Sequence, residues 1–230
     1  MADSQGMDLD LNTLSSRVYE DLKRRLNEGS LRAGQFIDLS ALGRELGMSR
    51  TPLRDALIRL ELEGFVVIYP RRGVMVRPLD LSDIRDIYQI VGALEGAVAL
   101  KIGNRFQDED ADRMRSFIDA MRAALDADDF DAYYVANLAF HDVYLDLSDN
   151  GDLVRTVRTL KGRLYDFPRR TGYVKEWERA SLVEHGEIEA RLRARDYAGA
   201  ASAIRDVHWS YEVQERFIRS YYFATGSQGR

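Results

Sequence analysis

Between Leu39 and Pro78 the chain reads LSALGRELGMSRTPLRDALIRLELEGFVVIYPRRGVMVRP. Its punctuation leaves few ways to fold. Leu42 and Leu46 lie at helical spacing and are stopped by Gly47. A second run, Leu53, Ala56, Leu57 and Leu60, follows Ser49 and ends at Gly64, where a left-handed residue suits a helix end. Ser40 and Ser49 are placed to cap the two helices. Phe65–Tyr69 and, in part, Val74–Val76 are β-branched or aromatic, and Pro70-Arg71-Arg72-Gly73 between them has hairpin-tip chemistry. The order is short helix, turn, second helix, two-stranded ribbon.

The apolar stripe of the second helix leaves Arg50 and Arg54, four apart, on the opposite face. Ser49, Thr51 and Pro52 crowd its N-terminus, where free N–H groups and the helix dipole suit a phosphate. Such a helix in a DNA major groove presents both arginines to base edges, where each can grip a guanine with two hydrogen bonds. Arg71 and Arg72 mark the ribbon tip beside Gly73, and Arg44 on the preceding helix can reach a backbone phosphate. Any one of these arginines is most simply a solvated charge; the joint pattern is what points to double-stranded DNA.

The net charge of −5 argues against a nucleic-acid partner only if it is evenly spread. It is not. Arg17–Pro78 carries 12 Arg/Lys against 8 Asp/Glu, while the chain from Leu79 onward carries 21 against 27. The basic part is the part with the turn motif. The chain has no cysteine, which excludes disulfides and thiolate metal sites and is compatible with a cytoplasmic protein. No apolar run approaches the roughly 18 residues of a membrane span, so no membrane partner is expected. The opening MADSQGMDLDLNT is acidic and polar, unlike a secretory signal.

Residues 1–12 read as disordered. Leu14, Val18, Leu22 and Leu26 recur every four residues and define a first amphipathic helix. The DNA-reading domain then spans 13–78 and a short linker 79–81. From 82 to 223 no strand-like alternation occurs. Helices are expected at about 82–103, 108–126, 129–147, 151–168, 174–194 and 197–222, which makes an all-α six-helix bundle. Residues 224–230 read as a flexible tail. The fold class is therefore mainly α, with one small β-hairpin near the N-terminus.

LGMSRTPLRDALIRLELEGFV followed by RRGVMV resembles the winged helix-turn-helix of the GntR family of bacterial transcription regulators. The resemblance covers about residues 14–78. It implies operator contacts from Ser49, Arg50, Thr51, Pro52, Arg54 and the tip Arg71, Arg72 and Gly73, with Arg44 as a backbone contact. It also implies a homodimer on a pseudo-palindromic operator.

The chain has three histidines, His141, His185 and His208, separated by 44 and 23 residues and each on a different expected helix. Asn137 precedes His141 by four and shares its helical face. Three imidazoles and an oxygen converging in a bundle can hold a divalent ion. NLAFHDVYLDLSDNGDL and SLVEHGEIEARL resemble the FCD ligand-binding domain of FadR-subfamily GntR regulators, in its VanR-like six-helix branch. That resemblance implies Asn137, His141, His185 and His208 as ligands of a metal, most commonly Zn²⁺, with Ni²⁺ or Mn²⁺ as alternatives. The sequence departs from the pattern in two places. Asn137 stands where an aspartate is more common, and Val91 stands where an arginine often precedes the position of Glu95.

The resemblance implies a small carboxylate or hydroxy acid as effector, and a cation inside a bundle can take such a group directly as a ligand. Tyr134 and Tyr144, one turn from Asn137 and His141, are candidates to line its site; Arg163 and Arg205 are candidates to pair with it. The expected function is a sequence-specific DNA-binding regulator, in this family more often a repressor. Two other readings are a regulator that senses the metal itself and a metal-dependent hydrolase. The hydrolase lacks an obvious general base and leaves the DNA-reading segment without a purpose.

Overall fold

The computed structural model describes residues 3–165 and 174–223, with side chains described for 14–164 and 174–223. The chain divides into two compact units, residues 1–80 with 162–170 and residues 81–161 with 171–230.

In the first unit, α1 (Asp3–Asn27) packs on a short α2 (Leu39–Leu46) and α3 (Arg50–Leu62), followed by β2 (Val66–Tyr69) and β3 (Gly73–Val76). The expected stripe is the core. Val18, Leu22 and Leu26 of α1 meet Leu42, Leu53, Ala56, Leu57, Leu60, Phe65, Val74 and Val76, all buried. α1 starts at Asp3, so residues 3–12, expected to be disordered, are helical. The ribbon also gains a strand. β1 (Phe36–Ile37) pairs antiparallel with β3, which gives a three-stranded sheet of order β1-β3-β2.

Both motif helices end in the same device. Gly47 and Gly64 have φ of 62° and 82°, a left-handed conformation that glycine adopts without a Cβ clash. The following N–H groups then close the helix ends: Met48 N–H donates to Gly43 O, and Phe65 N–H to Leu60 O. The N-terminus of α2 corrects an expectation. Asp38, not Ser40, is the cap, and its carboxylate accepts from the N–H groups of Ser40 and Ala41.

The second unit is helical: α4 (Leu81–Lys101), α5 (Asp108–Asp126), α6 (Phe130–Leu145), α7 (Gly151–Tyr165), α8 (Lys175–Arg193), α9 (Tyr197–Ser202), a π-helical segment Ala203–His208, and α10 (Tyr211–Phe223). Five of the six expected helices appear as single elements. The sixth is interrupted by the π-helical segment and by a break at Trp209-Ser210. The expected boundary at Pro168–Gly172 and the tail 224–230 lie outside the described residues. The last turn of α7 groups with the first unit rather than with the bundle.

Tight packing fixes where the π segment lies. A Cβ on Gly92 would stand 2.9 Å from Trp209 Cβ, and one on Gly96 would stand 3.3 Å from Ala201 O. At Gly92 only glycine lets the π segment come this close without a shift, and Gly96 leaves α9 little more room.

Candidate metal centre and nucleic-acid interface

α6, α8 and the π segment each bring one histidine to the same buried spot. One ring nitrogen from each of His141, His185 and His208 lies within 4.8 Å of the other two. His141 Nε2 and His185 Nε2 are 3.3 Å apart. That is long for a hydrogen bond, but two nitrogens each roughly 2.05 Å from a tetrahedral ion stand about 3.3 Å apart. His185 Nδ1 is buried with no hydrogen-bond partner. A buried polar atom left unpaired is rare in native proteins, and an ion on Nε2 would leave this Nδ1 without a partner. Asn137, also buried, sits one turn before His141 on α6.

The outer groups orient the rings. Glu95 on α4 is fully buried. Its Oε2 accepts from His141 Nδ1 at 3.0 Å and from Trp209 Nε1 at 2.9 Å, and also from the Tyr144 hydroxyl. Its Oε1 accepts from Lys161 Nζ at 3.1 Å. With Nδ1–H engaged, His141 turns the lone pair of Nε2 toward the cluster. His208 Nδ1 is held in the same way by Glu184 Oε2 at 2.8 Å, and Glu184 Oε1 accepts from Gln214 Nε2. A carboxylate behind a histidine is the usual support for a metal ligand.

Burial keeps the His141 and His185 rings neutral. Burial, helped by the Lys161 charge, lowers His141 to about 3 against the opposing pull of Glu95. Burial likewise holds His185 well below the usual imidazole range. Burial opposes the Glu95 charge, but Lys161 and His141 outweigh it and hold the carboxyl below its ordinary value. Neutral imidazole is the form that ligates a metal, and it is the form these two rings hold.

In the first unit, Arg44, Arg50 and Arg54 line one open cleft with Leu39, Met48, Leu53, Ile68 and Val74. Among the described residues no ion pair engages Arg44, Arg50, Arg54, Arg71 or Arg72, whereas Arg24, Arg25 and Arg59 of the same unit pair with Asp21, Glu28, Glu45 and Glu63. Ser49 occupies the N-cap of α3 yet makes no side-chain cap bond, so its hydroxyl and Thr51 stay exposed. At the ribbon tip Pro70 and Arg71 turn the chain, and Arg72 N–H closes on Tyr69 O. Arg71 has φ of 63°, an uncommon conformation for a residue with a Cβ. Pro52 corrects the set of expected contacts. It is buried in the first turn of α3, where its fixed φ suits a helix start.

Comparison with known proteins agrees with both halves. Residues 14–76 match the model of bacterial regulatory proteins of the gntR family, and residues 86–208 match the FCD domain. The Nta operon transcriptional regulator of Aminobacter aminovorans is 30% identical over 171 residues, 71% of this chain and 76% of that protein.

The chain belongs to the GntR family of DNA-binding transcription regulators, with a C-terminal FCD domain.

An HTH-type transcriptional regulator from the TAR-I ttuE-ttuC' intergenic region of Agrobacterium vitis is 38% identical over 130 residues, 55% of this chain and 76% of that protein. Escherichia coli McbR/YncC shares the fold, with a TM-score of 0.70 at 22% identity over 91% of this chain and 97% of that one. Some relatives are named repressors. Regulators of this family bind operators and are not enzymes, which disposes of the hydrolase reading. No described helix is long and apolar enough to cross a membrane.

The four expected effector contacts separate. Tyr144 reaches the cluster, as a donor to Glu95. Tyr134 is buried against Phe130, with ring centroids 6.4 Å apart. Arg205 is exposed and paired with Asp206, turned to solvent. A three-residue step keeps one face on an α-helix, but the wider π turn carries Arg205 away from the face of His208. Arg163 lies beside Gly64 at the end of α3, with its Cζ 3.0 Å from where a Cβ would stand. Glu184, Lys161 and Trp209 were missed. Lys161 had a signal: with Val154, Val157 and Leu164 it completes the buried stripe of α7.

Proposed function

We propose that this GntR regulator is a metal-loaded repressor working as a homodimer on a pseudo-palindromic operator in the cytoplasm. Asn137, His141, His185 and His208 hold a divalent ion, Zn²⁺ first and Ni²⁺ or Mn²⁺ as alternatives. A small carboxylate or hydroxy acid bound at or near it sets operator affinity. The observation that carries this reading is the His141–His185 nitrogen separation of 3.3 Å inside a buried three-histidine cluster. The ion supplies positive charge with room for an oxygen ligand. The chain's own groups do the rest: Glu95 and Glu184 aim the rings, and Tyr144 and Trp209 hold Glu95.

Operator contact falls to Ser49, Arg50, Thr51 and Arg54 on α3, to Arg44, and to Arg71, Arg72 and Gly73 at the tip. The unpaired state of the five arginines supports it, because each is free to meet a phosphate or a guanine. Ile90 and Leu100 on α4 are exposed, with Ala93 and Ala97 between them, an apolar strip suited to a second copy. Effector binding acts by shifting the population between operator-competent and incompetent forms.

The neutral donor set favours one second reading. Three imidazoles and an amide hold an ion less tightly than a set with a carboxylate, so the metal itself can be the signal. A thermal-shift screen of small acids with and without chelator separates these. An acid that stabilises only the metal-loaded protein supports the effector reading. Stabilisation by metal alone, with no acid adding to it, supports metal sensing. An acid whose shift ignores the chelator overturns the metal-bound site.

A further inference from the structure

The charges packed around the histidine cluster determine what a loaded centre lacks. Every expected ligand is neutral: three imidazoles and the Asn137 amide. Two carboxylates stand behind the rings, Glu95 at His141 and Glu184 at His208. Alone they would balance a divalent ion. Lys161 restores one positive charge. Its ammonium is 3% exposed as a residue and stands 3.1 Å from Glu95 Oε1. Glu189, one turn after His185, is buried too but is answered by Arg115 and Arg193, and Glu178, seven residues before His185, lies about 10 Å along α8, so neither enters this count.

We propose that Lys161 and Asn137 together make the loaded centre an anion-requiring site, with one positive charge that a single carboxylate group neutralises. This rests on the metal reading above and deepens it. Lys161 acts through Glu95 as a specificity-determining residue. Asn137 withholds the negative charge that a ligating carboxylate would supply. A buried net charge is costly to hold, so metal and carboxylate bind cooperatively, each raising the affinity of the other by the same factor. A neutral alcohol or amide of the same shape does not do this.

The test uses full-length protein stripped with chelator. Zn²⁺ affinity is measured by competition with a chelating dye, with and without saturating acetate, and with acetamide as the neutral control. Wild type is expected to bind Zn²⁺ about tenfold or more tighter with acetate, and unchanged with acetamide. Lys161→Arg keeps the effect. Lys161→Met and Asn137→Asp each bind Zn²⁺ tighter without acetate and lose most of the acetate enhancement. Asn137→Asp leaves the Lys161–Glu95 pair intact, so it decides the matter if Lys161→Met does not fold.

An equal enhancement in Asn137→Asp overturns the inference and leaves the metal reading standing. So does equal enhancement by acetamide, or none by acetate in wild type. Failure of wild type to bind Zn²⁺, Ni²⁺ or Mn²⁺ overturns both.

Discussion

Glu95 receives four donors from three directions while fully buried, and each donor constrains it differently. Lys161 balances its charge, Trp209 and Tyr144 fix its plane, and His141 uses it to set which nitrogen faces the cluster. Glu95→Gln is expected to lower metal affinity about 10- to 100-fold, as loss of outer support does elsewhere. It also leaves Lys161 as an uncompensated buried charge, at a cost of about 3–5 kcal/mol in the metal-free protein. Dye competition and denaturant unfolding read the two effects separately. A second acid behaves differently. Loss of water around half-buried Glu178 pushes its carboxyl up to about 7, above the ordinary 4.5, despite a hydrogen bond from Tyr133. A carboxyl raised on folding contributes stability that is full below its unfolded pKa and fades as pH rises through about 7. Between about pH 5 and 8 the melting temperature should therefore fall in wild type, and Glu178→Gln should flatten that slope. On the DNA face, Arg50→Ala or Arg54→Ala should weaken operator binding by about 1–3 kcal/mol, more for the operator than for random DNA.

At the level of elements, the π segment carries one of the three histidines and leads directly into one of the four donors to Glu95. It ends at His208 and delivers Trp209 to Glu95, and it reaches both only because α4 presents Gly92 and Gly96 to it. Gly92→Ala brings a Cβ to 2.9 Å from Trp209 Cβ, so the segment must shift. We expect a stability loss of about 1–3 kcal/mol, together with weaker metal binding although no ligand is changed. Unchanged metal affinity would show that the cluster tolerates that shift. Most elements were legible because their apolar periods run uninterrupted: α1, α3 and the helices of the bundle each carry a stripe that the core then buries. What was illegible depended on partners distant in sequence. β1 has two residues and exists only through β3. The break in the last helix has no proline to announce it; Trp209 is drawn to a carboxylate on α4 instead. Pro52 was expected at the operator with Arg50 and Thr51, yet the helix turns it inward.

For the whole molecule, the sequence places a basic reading head before an acidic bundle, and the structure gives each an organised site of its own. The three histidines were legible as a set because nothing else in the chain duplicates them; their supporting acids were not, among 38 Asp and Glu. Whether the bundle controls the head is decided by one measurement, operator affinity by fluorescence anisotropy at fixed salt. It is made on metal-loaded and chelator-stripped protein, each with and without the acid that stabilises it. An acid-responsive metal switch predicts an affinity change of about 5- to 150-fold from the acid in the loaded protein and none in the stripped protein. The same acid response in both, or in neither, would contradict it.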